Sequence, residues 1–228
     1  MPMADAPVQS RRRLAPAPST RSRRKKGPLR SLLELIVTVA IAVALALLIQ
    51  AFIVKPYRIP SPSMEPTLTI GQRILVDRLA THPSIGDVVV FHPPEGATPA
   101  GGLSAPPICA NPNQGPGHPQ ACDRATRQES SQTFVKRVVA VGGDTLWIRH
   151  GVVYVNGRPE KAPYARPCGG GPACNMPKPI VIPPDHYYMM GDNRGDSDDS
   201  RYWGPVPQSW IIGVAFFTYW PPDRIGTL

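Results

Sequence analysis

The longest apolar stretch comes early and shows no polar face. SLLELIVTVAIAVALALLIQAFIV, Ser31 to Val54, carries one charge, Glu34, near its start and one other strongly polar residue, Gln50, near its end. At about 1.5 Å per residue, a helix over Leu35–Val54 spans roughly the 30 Å of a bilayer's hydrocarbon core. A buried helix of a soluble domain needs no such length or all-round apolarity. A cleaved secretory leader has an apolar region of only about 7–15 residues and a small-residue exit. This run ends in QAFIVKPYRIP, so the pattern predicts a retained transmembrane helix over 31–54.

Beyond residue 55 the period changes to two. RILVDRLA (73–80), DVVVFHP (87–93), TFVKRVVAVGG (133–143), TLWIRHGVVYVNGRP (145–159) and WIIGVAFFTYW (210–220) read as strands. His150-Gly151 marks a hairpin turn and Asn156-Gly157 a second turn. No helical period of useful length follows the apolar run, apart from a short turn near Val206–Trp210. Two long loops, about 94–132 and 160–180, interrupt the strands and are expected to be insertions. The expectation is a mainly β, antiparallel domain over 55–228, a barrel or two joined sheets, with no internal repeat.

Charge changes the picture by its location. The formal net charge is +9, but residues 1–30 hold nine Lys/Arg against one acid, Asp5, leaving 16 Lys/Arg against 15 Asp/Glu elsewhere. The basic character belongs to a Pro-, Ser- and Arg-rich tail, expected to be disordered. The body therefore has no electrostatic footprint for nucleic acid. Arg21, Arg23, Arg24, Lys25, Lys26 and Arg30 crowd one end of the apolar run, whereas Lys55 and Arg58 follow the other. The positive-inside bias puts the tail in the cytoplasm and the β domain across the membrane.

That placement bears on the four cysteines, Cys109, Cys122, Cys168 and Cys174. An even count in an oxidising compartment suggests disulfides. Nearest-neighbour pairing would close two Gly/Pro-rich loops, but three connectivities are possible. Zinc is the alternative; the spacings suit it poorly, and no histidine lies close to Cys168 or Cys174.

Candidate chemistry starts from what is missing. None of the five histidines sits in a stretch resembling a Ser-His-Asp component, and neither H-E-x-x-H nor G-x-S-x-G occurs. A serine nucleophile would then need a lysine base, which works only if burial lowers its pKa. FVKRVVAV, Phe134 to Val141, sets Lys136 among valines, whereas Lys161 and Lys178 lie in polar loops. Alternation puts Phe134, Lys136 and Val138 on one face and Val135, Arg137 and Val139 on the other. The plainer reading is a strand lysine at a sheet edge. A third stretch, YYMMGDNRGDSDDSRYWGPVP (187–207), mixes four aspartates with two arginines. It fits a calcium loop only loosely and fits a turn that neutralises its own charges better.

IPSPSMEPTL (59–68), GDVVVF (86–91), KRVVAVGGD (136–144), GDNRGDSDDSRYWG (191–204) and the closing VAFFTYWPP, in this order behind an apolar anchor, resemble the bacterial type I signal peptidases. The resemblance covers most of 31–228 and leaves out the tail and the 94–132 loop. It implies a membrane-bound Ser–Lys serine protease that removes signal peptides from exported preproteins. It implies no cofactor and no metal, and its partners are preproteins with small residues at the cleavage site, and the phospholipid membrane. By position, Ser63 matches the nucleophile and Lys136 the general base. Ser61 matches an oxyanion hydroxyl acting with the Ser63 N–H, and Ser197 a hydroxyl that orients the lysine. Asp199 and Arg201 match a supporting ion pair, with Asp192 and Arg137 as further supporting positions. Pro62 departs from the family's frequent glycine; it removes one N–H and leaves that of Ser63. Self-cleaving repressors, a relative serving a single conjugation protein, and a disulfide-stapled binding or assembly protein with structural serines are the rival readings.

Overall fold

The computed structural model describes residues 27–98, 108–126 and 128–228. The expected basic tail lies outside these residues except for its last four. The described chain falls into two units, divided after Ala44. Helix α1, Pro28–Phe52, carries the apolar run. Pro28 opens it, where the missing N–H costs nothing. It is the one described helix long and apolar enough to cross a membrane, and none of its apolar window is buried in protein.

The second unit is built on strands β1 (Val54–Arg58), β2 (Arg73–Asp77), β3 (Val88–Phe91), β4 (Phe134–Val141), β5 (Thr145–Arg149), β6 (Val152–Val155) and β7 (Arg158–Pro159), then β8 (Met176–Val181) and β9 (His186–Met190). A one-turn helix α2 (Ser200–Trp203) precedes β10 (Val206–Pro207), β11 (Ile211–Trp220) and β12 (Gly226–Thr227). One antiparallel sheet runs β1-β2-β11-β3-β4-β9-β10, with β12 beside β11; a second runs β7-β6-β5-β8. His150 and Gly151, with φ of +49° and +81°, make the β5–β6 turn, whose two central residues must both be left-handed. Asn156 and Gly157 repeat the device before β7.

The core follows the alternation of β4. Phe134 and Val138 pack with Val89, Phe91 and Trp203 in one buried cluster. Val135 packs on another, with Val88, Val90 and Met64. The second sheet buries Leu146, Ile148, Val153, Met176 and Ile180. Most strand bounds fall one to three residues inside those expected.

Several elements differ from the sequence reading, among them β12, which it left out, and β10, which stands where a short turn was expected near Val206–Trp210. β1 and β8 were obscured by prolines, which their edge positions tolerate. β9, HYYMM, shows no alternation because four of its five residues are buried between neighbouring strands. α2 is too short for a helical period; Asp199 caps it by accepting from Arg201 N, and Gly204, at φ +83°, ends it. The described parts of 94–132 lack strands but are not clear of the core. Ala97 joins the Trp203 cluster, and Cys122 is fully buried.

Candidate active site

Three segments of different sequence character meet at one end of β4. The first is the loop after β1. Pro62–Met64 forms a single 3₁₀ turn with extended Ser61 before it. Pro62 takes the first turn position, where no N–H is needed, so the local geometry accommodates the proline. The turn is held from both sides. Ile59, Met64 and Leu68 are buried, Glu65 N donates to Pro62 O at 3.0 Å, and Leu68 N donates to Met64 O at 2.9 Å.

β4 supplies the second part. Lys136 and Ser63 are each 4% exposed, and Lys136 Nζ donates to Ser63 Oγ at 2.7 Å. Ser61 Oγ lies 3.2 Å from Ser63 Oγ. Burial lowers the Lys136 ammonium to about 8, although Asp199, Asp198 and Asp192 oppose it and Arg201 assists. A lysine at that value is neutral roughly one time in five near pH 7.4, against about one in a thousand for an ordinary lysine. The same contact then lets Ser63 Oγ–H donate to Nζ.

The third part is the loop from Gly191 to α2. Asn193 N donates to Ser63 O at 3.0 Å and Asn193 Nδ2 to Pro62 O at 3.3 Å, so this loop grips the 3₁₀ turn from behind. The approach requires glycine at 191: a Cβ there would collide with Ser63 O and Ser197 Oγ. The charges pair off. Arg201 grips Asp199 with two bonds of 2.7 and 2.8 Å, both side chains fully buried. Burial pushes Asp199 up, but Arg201 outweighs it and holds the carboxyl below its ordinary range. Arg137, on the other face of β4, grips Asp192 at 2.8 and 2.7 Å. Arg194 pairs with Glu160 at 2.6 and 2.7 Å. With Asp192 and Asp199 occupied by guanidinium groups, the loop has the character of a self-neutralised turn.

The model for the signal peptidase family, peptidase S26, matches residues 32–220. The chain belongs to the signal peptidase family. It is a serine-type peptidase, a hydrolase. Among relatives of this family, the probable signal peptidase I-1 of Synechocystis sp. is 35% identical over 89% of either chain. Signal peptidase I of Leptolyngbya laminosa is 34% identical over 86% of this chain and 84% of its own. Signal peptidase I of Mycobacterium tuberculosis is 35% identical over 87% and 76%.

The site residues expected from the family resemblance are brought together, with one contact missing. The expected bond from Ser197 to Lys136 is not formed. Ser197 Oγ is buried without a hydrogen-bond partner among the described residues and lies close against Gly191. The cysteines pair as neighbours, Cys109 with Cys122 and Cys168 with Cys174. Each of these Cys segments also touches the site's support. Arg201 Nη1 lies 3.4 Å from Cys168 Sγ, and Cys122 Sγ lies 3.4 Å from Arg201 O.

Several contributors had no sequence signal. Thr67 donates to Asp192 at 2.5 Å, and the Tyr164 ring lies 4.0 Å from the Arg137 guanidinium. Thr98 N, from the long loop between β3 and β4, donates to Asp198 Oδ2 at 2.8 Å. Thr98 and Asp198 line a small pocket of about 70 Å³ together with Ile59, Ser61, Phe134 and Lys136.

Proposed function

We propose that this chain is a membrane-anchored signal peptidase of type I that removes signal peptides from exported preproteins with a Ser63–Lys136 dyad. The observation that carries the reading is the 2.7 Å contact between Lys136 Nζ and a nearly buried Ser63 Oγ. Neutral Lys136 takes the Ser63 proton, and the oxygen attacks the scissile carbonyl to give an acyl-enzyme. The Ser63 N–H and the Ser61 hydroxyl receive the oxyanion, a role worth about 2.7–4 kcal/mol per donor. The lysine then passes its proton to the leaving amine and activates water for deacylation. Asp199–Arg201 and Asp192–Arg137 hold the loops behind the dyad, and Ser197 is the hydroxyl that the family resemblance would have orient Nζ.

Two features bear on the substrate. The pocket beside the dyad, at about 70 Å³, suits a small side chain. The β4–β9 register begins at Arg137, so Phe134–Lys136 have no partner strand on the β9 side. An extended substrate can add to this edge by main-chain hydrogen bonds. For localisation, the apolar helix supports an anchor, and the basic residues ahead of it favour a cytoplasmic N-terminus. Two disulfides fit a catalytic domain over 55–228 on the oxidising side of the cell membrane.

The test is cleavage of a preprotein by the full-length protein in detergent, beside Ser63→Ala and Lys136→Ala. Both variants are expected to lose cleavage while retaining the β signature in circular dichroism. Cleavage by either variant at the wild-type rate would sink the dyad.

A further inference from the structure

The Arg201 guanidinium is fully buried, and each of its five N–H groups has an acceptor. Nε and Nη2 grip Asp199 at 2.7 and 2.8 Å. Nη2 also donates to Ser197 O at 3.3 Å, and Nη1 to Arg194 O at 2.7 Å. The fifth acceptor is a sulfur, Cys168 Sγ at 3.4 Å, and Cys168 is bonded to Cys174. Three consecutive glycines at positive φ, Gly169, Gly170 and Gly171, follow Cys168. That backbone is permissive enough to let Cys168 swing away, so the bridge is what holds it. Cys174 O accepts from Gly151 N, in the β5–β6 turn, at 2.7 Å. Cys168 O lies against Gly195, where a Cβ would come within 3.1 Å. The second sheet thus reaches the site loop through the bridge. From Arg201 the contacts continue to the nucleophile: Asp199 Oδ2 accepts from Gly191 N at 3.1 Å, and Gly191 packs against Ser63 O.

We propose that Cys168, pinned by Cys174, is a positioning residue for the proposed reaction: its sulfur takes the last guanidinium N–H of Arg201, and the bridge so fixes the Asp199–Arg201 pair beside Lys136. The inference rests on the Ser63–Lys136 reading, since it is the surroundings of Lys136 that the pair sets. An N–H left without an acceptor in the interior is costly, so cutting the bridge lets the guanidinium turn from Asp199 or admits water. Both changes favour the Lys136 ammonium. Burial, the largest influence, lowers this lysine and weakens as water enters; Asp199 raises it and Arg201 lowers it. The other charged and titratable groups here are Asp198 and Asp192 around Lys136, and Tyr188 on β9 and Tyr202 on α2 around Arg201. Arg194, paired with Glu160, adjoins Arg201 through its carbonyl. The Cys109–Cys122 bridge differs, since Cys122 Sγ meets Arg201 at its main-chain oxygen, 3.4 Å away.

The experiment uses full-length protein in detergent carrying Cys109→Ser and Cys122→Ser, so that Cys168–Cys174 is the one bridge left. It is assayed oxidised and again after dithiothreitol, which gives the bridge two electrons and two protons and becomes a cyclic disulfide itself. A thiol count confirms the two freed thiols. The readout is the midpoint of the rising limb of kcat/KM against pH, with a synthetic cleavage-site peptide. That midpoint does not depend on the folded fraction, which scales the whole profile. The oxidised protein is expected to keep the wild-type midpoint near pH 8. Reduction is expected to raise the midpoint by about half a unit and to lower kcat/KM near pH 7 by roughly threefold, with reoxidation restoring both. Cys168→Ala with Cys174→Ala in the otherwise wild-type chain is expected to show the same shift. This arm decides the matter if the single-bridge protein does not fold or resists reduction. A midpoint unmoved by loss of Cys168–Cys174, or an equal shift on removing Cys109–Cys122 alone, would overturn the proposal. Cleavage by Ser63→Ala at the wild-type rate, or no cleavage of the peptide by wild type, would instead overturn the dyad reading on which the proposal depends.

Discussion

Replacing Lys136 with methionine keeps the length of the apolar stem and removes the charge, which makes it a measurement of what the buried base costs the fold. The lysine titrates near 8 in the folded chain against 10.5 for an ordinary lysine. Below pH 8 the side chain is protonated in both states, and folding bears the full penalty of burying the ammonium. At about 1.4 kcal/mol per unit this is about 3 kcal/mol. Between pH 8 and 10.5 the folded chain has lost the proton and the unfolded chain has not, so the penalty shrinks as pH rises. Lys136→Met is therefore expected to be inactive and more stable than wild type, by about 3 kcal/mol near pH 7 and about 1 kcal/mol near pH 9.5. Ser63 Oγ keeps Ser61 as a neighbour at 3.2 Å, which limits the loss on the other side of the balance. The assay is urea unfolding followed by tryptophan fluorescence, with Trp203 as a buried reporter, in matched detergent at both pH values. A methionine variant no more stable than wild type, or one whose advantage does not change with pH, would refute the argument that desolvation makes this lysine a base.

Three further outcomes follow from the same geometry. The pH profile of kcat/KM is expected to rise through about pH 8 as Lys136 loses its proton; Asp198→Asn should move that limb to lower pH, since the Asp198 carboxylate raises the lysine, and an unmoved limb would count against the coupling. Arg201→Met leaves Asp199 charged and unpaired in the interior, and chemical denaturation should register a loss of about 3–5 kcal/mol, partly recovered when Asp199→Leu is added. Gly191→Ala pushes a methyl into Ser63 O and Ser197 Oγ; preprotein cleavage should fall by roughly a hundredfold with circular dichroism unchanged, and near-normal cleavage would show that the 3₁₀ turn is not positioned by this contact.

What could be read in the chain divides along physical lines. β2, β3, β4, β5, β6 and β11 announced themselves because runs of Val, Ile and aromatic residues suit a pleated, buried surface. β1 and β8 did not, because Pro56, Pro177 and Pro179 read as breakers until an edge position is known. Lys136 stood out because a cation inside a valine run has to be explained by partners. Ser63 gained meaning through that lysine, 73 positions away. The bond between Thr98 and Asp198 was silent because it spans 100 residues and joins a long loop to a turn. Ser197 shows the opposite failure. Its position in the motif suggested a contact with the lysine, but a hydroxyl's direction is set by its rotamer and by the packing at Gly191, which motif spacing does not encode.

β4 sends an ammonium to one face and, one residue later, a guanidinium to the other. Deleting a single residue ahead of Lys136 would turn each side chain of the strand to the opposite face. Arg137 would then stand before Ser63 carrying a proton it does not release, and Val138 would face Asp192 in place of the two-pronged fork that now grips it. The strand therefore functions in one frame. A change of chain length in the long loop ahead of β4 leaves this frame intact, whereas one inside Phe134–Val141 does not.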